Sequence, residues 1–415
     1  MVEVVGVGTY GCVTKPSLKC SDSETKYDYD NKVSKIMKDE DAIEEKKEME
    51  NISTIPNIDK YILKLPILCK PMINDEYNTI LTKCGKENWR IKKTIKANKQ
   101  FSNLSILLLD DGGVSLKDVL NKLFKNFNMH ETQCFLTSIL NLIEGVNFFV
   151  HNNIIHHDIK LANIVYNVSN GKIKFIDFGL MKTLDKFIHD STQSANTLAS
   201  QSWFYFPKEF SCLNQDVFKQ LTKCEKYKKQ KGFTYSKFIT KAASSFDSYC
   251  LTFALKNFFE HIQRVKHFKH VTKHFLDDGI HLMENYCHTD IYKRNIDLTY
   301  LYKQYQSILE QHNLYTKEKS KSSLSTLRIA KSLSIQHHIE KSNSLPKPVI
   351  IQTEKNNKKR CPNGTRRNKN GDCVANNEAK PQAKIVIQDA KQTKKKRCPN
   401  GSRRNKNGEC VAVAK

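Results

Sequence analysis

Ile155-His156-His157-Asp158-Ile159-Lys160-Leu161-Ala162-Asn163-Ile164-Val165 is followed ten residues later by Phe175-Ile176-Asp177-Phe178-Gly179. Apolar residues flank both polar groups, so the charged side chains fall on loops between buried elements. Asp158 and Asn163 stand five apart. Asp177 closes a short apolar strand, and Gly179 lets the chain turn away. Two carboxylates and a carboxamide in this order offer oxygen ligands for Mg²⁺ and an acceptor for the proton of a hydroxyl nucleophile.

Working outward, residues 130–151 carry Phe135, Leu136, Ile139, Leu140, Leu142, Ile143, Val146 and Phe149 at helical spacing with few charges, which predicts a largely buried helix. Asn163–Val168 and Lys172–Ile176 read as strands joined by an Asn170-Gly171 hairpin turn. Upstream, Ser105–Leu109 is a buried strand that ends at Asp110-Asp111-Gly112-Gly113. Residues 40–55 form a charged helix with an apolar stripe of Ile43, Met49 and Ile52, and residues 1–40 alternate strands and turns around glycines. Beyond about residue 210 the pattern is helical with Lys-rich loops. Past about 315 periodicity weakens, and Pro346 and Pro348 mark a linker.

The chain has 415 residues and a formal charge of +25. Residues 316–415 hold 25 Lys and Arg against 7 Asp and Glu, a net of +18, which leaves +7 for everything before them. The basic excess therefore belongs to a tail, which warns against reading the whole chain as a nucleic-acid binder. No uninterrupted apolar run reaches the ~18 residues that a spanning helix needs, and the N-terminus lacks the charged and apolar regions of a secretion signal. On that basis the nine irregularly spaced cysteines of residues 1–315 are expected to be reduced thiols, mostly buried, in an intracellular protein.

Gly6-x-Gly8-x-x-Gly11-x-Val13 is a loop whose glycines let backbone approach phosphate oxygens. Pro16 follows too soon for a helix, so the loop joins two strands and not the strand and helix of a dinucleotide fold. Together with Asp158, Asn163 and Asp177 it resembles the catalytic domain of eukaryotic-type protein kinases over residues 1–312. That resemblance implies an α+β bilobal fold: a small β-rich N-lobe (about 1–110) with one regulatory helix, and a larger, mainly helical C-lobe (about 114–312). Carried over position by position, it implies an ATP- and Mg²⁺-dependent (or Mn²⁺-dependent) phosphotransferase. Gly6, Val7, Gly8, Gly11 and Val13 would cover the nucleotide. Val33-Ser34-Lys35 would make Lys35 the phosphate lysine and Glu45 its ion-pair partner, with Glu48 as the alternative. Leu109 would be the gatekeeper, Asp110, Asp111 and Gly112 the adenine hinge, and Val165 the floor beneath the base. Asp158 would be the catalytic base, Lys160 would steady the transferring phosphate, and Asn163 and Asp177 would be the metal ligands. Tyr205-Phe206-Pro207-Lys208-Glu209 resembles the end of the activation segment, with Arg294 as partner to Glu209, and Asp247 would hold the backbone of the catalytic loop.

Lys160 and Ser202, seven residues before Glu209, match the serine/threonine pattern, so protein Ser/Thr hydroxyls are the expected substrates. A pseudokinase scaffold targeted by the tail is the alternative, as is a small-molecule phosphotransferase; the full set of polar groups speaks against the first, and Tyr205–Glu209 with Asp247 against the second. His157 replaces the arginine that often grips an activation-loop phosphate, and an imidazole would be a weaker, pH-dependent substitute. Activity is thus expected not to need phosphorylation within 180–206. His156 is expected to pack beneath the loop, and Trp203 and Tyr205 to line the substrate segment or the C-lobe core. Met1–Val5 is a short first strand, either truncated or continued upstream.

After a linker (313–357), Lys359 to Val374 returns as Lys396 to Val411 with only Thr→Ser and Asp→Glu changed. Two basic repeats therefore span 358–374 and 395–411, each with eleven residues between its cysteines, in an otherwise irregular tail. Disulfide loops, a four-cysteine zinc site and a solvated basic tail all stay open. Contact with nucleic acid or acidic surfaces would be sequence-independent and salt-sensitive. The repeats and the kinase body both resemble proteins of nucleocytoplasmic large DNA viruses (giant viruses). This implies a place in the host cytoplasm or viral factory, or packaged in the virion, and not secretion.

Overall fold

A computed structural model describes residues 2–317, apart from 9, 23–24, 98–102, 194–202, 221 and 266–268, together with 365–367, 373–375, 402–404 and 410–412. The chain divides into two units, residues 1–344 and 345–415.

The first lobe of unit one is an antiparallel sheet. Its strands β1 (Glu3–Val7), β2 (Gly11–Lys15), β3 (Lys32–Lys38), β4 (Ile67–Cys69) and β5 (Leu104–Asp110) lie in the order β1-β2-β3-β5-β4. The register sets Val13 opposite Lys35 and Lys35 opposite Leu107, which puts Lys35 at the centre of the sheet. Helix α1 (Asp39–Ser53) begins with Asp39, Glu40 and Asp41, carboxylates that complement the positive end of the helix. Ala42, Glu45, Met49 and Ile52 form its buried face. Ile43, expected on that face, is 56% exposed, because the 42/45/49/52 spacing turns it outward.

Between β4 and β5 the chain inserts two helices that the sequence reading left unassigned, α2 (Asp75–Glu87) and α3 (Trp89–Ala97). Tyr77, Ile80, Leu81 and Cys84 recur at helical spacing and are buried against Cys12, Ile36 and Ile106 of the sheet.

In the second lobe, β6 (Val114–Ser115) leads through a helical stretch that begins with α4 (Leu116–Asp118) and runs on to Asn126, then to α5 (Met129–His151). A capping box starts α5: Asn128 accepts from the Glu131 N–H at 2.9 Å, and the Glu131 carboxylate accepts from the Asn128 N–H at 3.0 Å. By length and apolar content α5 is long enough to cross a bilayer; here Phe135, Ile139, Ile143, Val146 and Phe149 pack in the lobe's core. Short strands β7 (Ile154–Ile155), β8 (Ile164–Asn167), β9 (Lys172–Phe175) and β10 (Lys182–Thr183) carry the candidate site, with β6-β8-β9 in one sheet and β7 paired to β10. The helices that complete the lobe are α6 (Leu184–Gln193), α7 (Gln215–Gln220), α8 (Thr222–Lys228), α9 (Tyr235–Ser244), α10 (Phe246–Val265), α11 (Lys273–Tyr286) and α12 (Leu298–Gln311). Tyr305 of α12 is fully buried and donates to the Leu136 carbonyl at 3.1 Å, which ties the end of the lobe to α5. The fold is the α+β bilobal kinase type.

The thiol expectation is corrected. Cys12–Cys84, Cys20–Cys69 and Cys212–Cys224 are disulfide-bonded; Cys134, Cys250 and Cys287 are free and buried. Two of the pairs join cysteines 72 and 49 residues apart, so nothing in the linear spacing announces them.

In the second unit the repeats form two hairpins. Strand β11 (Thr365–Arg367) pairs with β12 (Cys373–Ala375), and β13 (Ser402–Arg404) with β14 (Cys410–Ala412), in the same register. These are local breaks in a tail expected to be irregular. Cys361 and Cys398 lie outside the described residues.

Candidate active site

Lys35 Nζ donates to both carboxylate oxygens of Glu45, at 2.8 and 2.7 Å, and to Asp177 Oδ1 at 2.9 Å. Of the two glutamates considered on α1, Glu48 points elsewhere and pairs with Lys186 at 2.9 Å. Burial alone would lower the Lys35 ammonium, but the Asp177 and Glu45 carboxylates outweigh it and hold it above its usual range. The same lysine, acting against burial, holds Asp177 below the usual carboxylate range. The site thus keeps a permanent cation bridging the two lobes.

Asp158 lies on the loop between β7 and β8 with both oxygens engaged. Lys160 Nζ and Asn163 Nδ2 each donate to Oδ2 at 2.7 Å, and the Tyr205 hydroxyl donates to Oδ1 at 2.6 Å. Asn163 also donates to the Asp158 carbonyl at 3.0 Å. The loop is held from below by Asp247 at the start of α10, whose carboxylate accepts the N–H groups of His156 at 2.6 Å and His157 at 3.0 Å. Burial pushes Asp247 up to about 7 against the pull of those two donors. Both His157 (φ +67°) and Asp177 (φ +68°) adopt the left-handed backbone region, uncommon for residues with a side chain and frequent at functional loops.

His156 is fully buried between Phe175 and Phe178, with its Nε2 3.2 Å from the Ile176 carbonyl. It is a packing residue, as expected. His157 departs from expectation. Its ring lies among Phe187, Phe206, Phe210 and Phe246, at centroid distances of 4.8 to 5.7 Å. The residue as a whole keeps partial exposure, yet both ring nitrogens are shut off from water and lack a hydrogen-bond partner among the described residues. Burial lowers its pKa to about 3, with Lys182 adding to the effect. The ring is a neutral packing element and not a pH-dependent stand-in for arginine.

Arg294 meets Glu209 through two hydrogen bonds at 2.6 and 3.2 Å, both side chains being fully buried, and also donates to Ser245 and the His288 carbonyl. Lys208 is exposed. Tyr205 is buried against Asp158, whereas Trp203 is 55% exposed and lines no core. Ser202 lies outside the described residues. The hydroxyl of Tyr205 on Asp158 is the contact that sequence reasoning missed; only its nearness to Glu209 hinted at it.

On the nucleotide side, Gly8 N–H bonds the Gly11 carbonyl at 2.9 Å, with Val7 opposite Cys12 and Gly6 opposite Val13. A Cβ added at Gly6 or Gly8 would meet nothing closer than 3.8 Å, so the backbone there is open to a ligand. Asp110 pairs with Lys32 and Asp111 with Lys15. The Asp111 N–H is taken by the Asn31 carbonyl at 2.7 Å. Gly113 (φ +100°) must be glycine, since a Cβ would sit 2.3 Å from the Tyr166 carbonyl oxygen, and a Cβ on Gly112 would stand 2.5 Å from Val165. Val165 therefore lies directly against Gly112. These features fit a nucleotide and its metal: open glycine backbone at one end, an apolar floor at the other, and between them Asn163 and Asp177, the latter's side chain 38% exposed.

Comparison with known proteins agrees. The chain is 35% identical over 101 residues to a protein named probable cyclin-dependent kinase 10 from Dictyostelium discoideum, covering 24% of each chain. It is 32% identical over 124 residues to the serine/threonine-protein kinase pakG of the same organism, covering 30% of this chain and 10% of that one. Against the serine/threonine-protein kinase STE11 of Saccharomyces cerevisiae it is 31% identical over 107 residues, covering 26% and 14%. It spans about a quarter or less of each of these relatives. The protein kinase domain matches residues 1–210, half of the chain, from the first strand to Glu209 and Phe210. By that match and by the geometry around Lys35 and Asp158, the chain belongs to the protein kinase domain family.

Proposed function

We propose that the chain is a protein serine/threonine kinase that transfers the γ-phosphate of ATP. The observation that carries this reading is the state of Asp158: one oxygen is oriented by Lys160 and Asn163, and the other already accepts a hydroxyl, that of Tyr205. A substrate hydroxyl bound in the same way would be turned toward the phosphate and would lose its proton to Oδ1 as the new bond forms. Lys160, beside both the base and the Tyr205 ring, is placed to neutralise the migrating phosphoryl oxygens. Lys35, pinned by Glu45 and Asp177, would hold the α- and β-phosphates under the open glycine backbone. Asn163 and Asp177 would hold Mg²⁺, or Mn²⁺, which when bound neutralises phosphate charge. Positioning and charge supply most of the rate. Lys160 at the serine/threonine-type position and the three serine/threonine or cyclin-dependent kinase relatives support Ser/Thr acceptors.

The resemblance of the tail repeats to those of large DNA viruses supports a viral setting for this activity, with the basic tail deciding where the enzyme goes. The intact ion pair and catalytic loop count against a pseudokinase. The test is incorporation of labelled γ-phosphate into generic proteins, with Asp158→Ala and Lys35→Ala as controls and phosphoamino-acid analysis of the product. Phosphoserine and phosphothreonine that vanish in both variants are expected. No transfer with either Mg²⁺ or Mn²⁺ would refute the enzyme reading, and phosphotyrosine alone would refute the acceptor class.

A further inference from the structure

The α2–α3 insertion touches the glycine-rich loop at its tip and its exit, and it also holds the start of the strand that leads into it. Just before β1, the Val2 N–H donates to Glu76 of α2 at 3.0 Å. At the exit, Cys12 of β2 is bonded to Cys84 of α2. At the tip, Asn88 donates through Nδ2 to the Gly8 carbonyl at 2.7 Å, while its Oδ1 caps α3 by accepting the Ile91 N–H at 3.0 Å. Asn88 is only 2% exposed, so the donor is fixed within the lobe while Gly8 itself faces solvent. Arg90 lies over the Tyr10 ring, 4.7 Å from its centre, and also reaches Asp41 of α1 at 3.7 Å. One side chain thus links the loop tip to the helix that carries Glu45.

A glycine loop is the part of such a site with the most conformational freedom to lose when a triphosphate binds. Fastening it beforehand removes much of that loss and raises affinity for the part of the ligand it covers. We infer that α2–α3 is a built-in clamp that sets nucleotide affinity, with Asn88 and Arg90 as positioning residues for the phosphate-covering loop and Cys12–Cys84 as its covalent anchor. The inference rests on the kinase reading above and adds to it a determinant that lies outside the ATP site itself.

The test titrates the full chain with a fluorescent N-methylanthraniloyl ATP and, separately, with the matching adenosine derivative. Asn88→Ser is the informative variant, because serine caps a helix as well as asparagine does but ends short of Gly8; Arg90→Ala and Cys84→Ala complete the set. Loss of one hydrogen bond predicts a Kd for the ATP derivative about fivefold higher in Asn88→Ser, and a rise in the same direction in Arg90→Ala. KM for ATP should rise in step, with kcat at saturating ATP and KM for the protein acceptor within about twofold of wild type. Affinity for the adenosine derivative should be unchanged, since the clamp acts on the phosphate end. Equal ATP affinity across all three variants overturns the clamp alone, as does a loss of adenosine affinity in the same proportion, which would mean a generally loosened lobe. A wild-type chain that binds no ATP derivative overturns the kinase reading and the clamp together.

Discussion

Replacing His157 by Phe tests how the activation segment is held. In the unfolded chain the imidazole titrates near 6.5; in the folded chain burial lowers it to about 3. Between those values the unfolded state binds a proton that the folded state refuses, so stability falls as pH falls through 6.5 and goes on falling toward the folded value. At 1.36 kcal/mol per unit the full loss is about 5 kcal/mol. Between pH 7 and pH 5 it is about 2 kcal/mol, and any folded value at or below about 4 gives nearly the same figure. Phe cannot titrate, and its ring suits a box of four phenylalanines. Denaturant unfolding followed by circular dichroism at both pH values should show His157→Phe losing about 2 kcal/mol less than wild type on acidification. The comparison is of slopes, so any fixed cost of a larger ring at φ +67° cancels. Identical pH dependence in the two proteins would refute the reasoning, because it would mean that His157 protonates equally well in both states. The variant should also remain active, since a neutral imidazole holds no activation-loop phosphate. Alanine at Thr183, Ser191, Thr192, Ser194, Thr197 and Ser200 should likewise leave turnover within a few-fold, as measured by phosphate transfer.

Tyr205→Phe removes the hydroxyl from Asp158, a bond to a charged acceptor that a substrate must displace. Acceptor kcat/KM should rise about tenfold with KM for ATP unchanged, and steady-state kinetics in which the acceptor is unaffected would count against that oxygen as the acceptor position. Arg294→Ala strands the fully buried Glu209 carboxylate and should cost about 3–5 kcal/mol in denaturant unfolding; the pair Glu209→Leu with Arg294→Met should recover most of it, and a single variant as stable as wild type would contradict the buried pairing. A chain ending at residue 344 should keep turnover but lose retention on duplex DNA, and the full chain's DNA affinity should drop about tenfold or more from 50 to 200 mM salt. Salt-independent binding would exclude the tail's charge as its cause.

Much of the fold could be read directly, for a physical reason. Chemistry confines Asp158, Lys160 and Asn163 to one short loop, and Asp177 to the end of the next hairpin, so their spacing survives as a linear pattern. The long helix Met129–His151 and the strand Leu104–Asp110 were equally legible, because burial on one face leaves a periodic trace. What escaped is what distance in sequence conceals. Asn88 and Gly8 are 80 residues apart, Cys12 and Cys84 are 72, and neither pair has a local signature. The helical spacing of Tyr77, Ile80, Leu81 and Cys84 was a usable signal for the insertion. The thiol expectation failed differently: it rested on the lack of a secretion signal, which says nothing about which sulfurs the fold brings together.

The departures from the family pattern bear on one another. Where a kinase uses arginine to grip a phosphate, the activation segment's order depends on a switchable charge. Here the corresponding ring sits in an apolar box drawn from α6, from Phe206 within the segment's end and Phe210 just past it, and from the start of α10. The segment's end is bolted to Arg294 without solvent contact. Apolar packing and a buried ion pair do not turn on and off with phosphorylation, so this arrangement favours a segment end that is anchored constitutively. On the proposed function, the lever that remains at Asp158 is Tyr205, whose hydroxyl would have to leave before a substrate hydroxyl arrives. Acceptor identity, more than a phosphorylation event, is then what such a site would be built to sense: a substrate that wins Asp158 from Tyr205 is also one that supplies its own hydroxyl in the tyrosine's place.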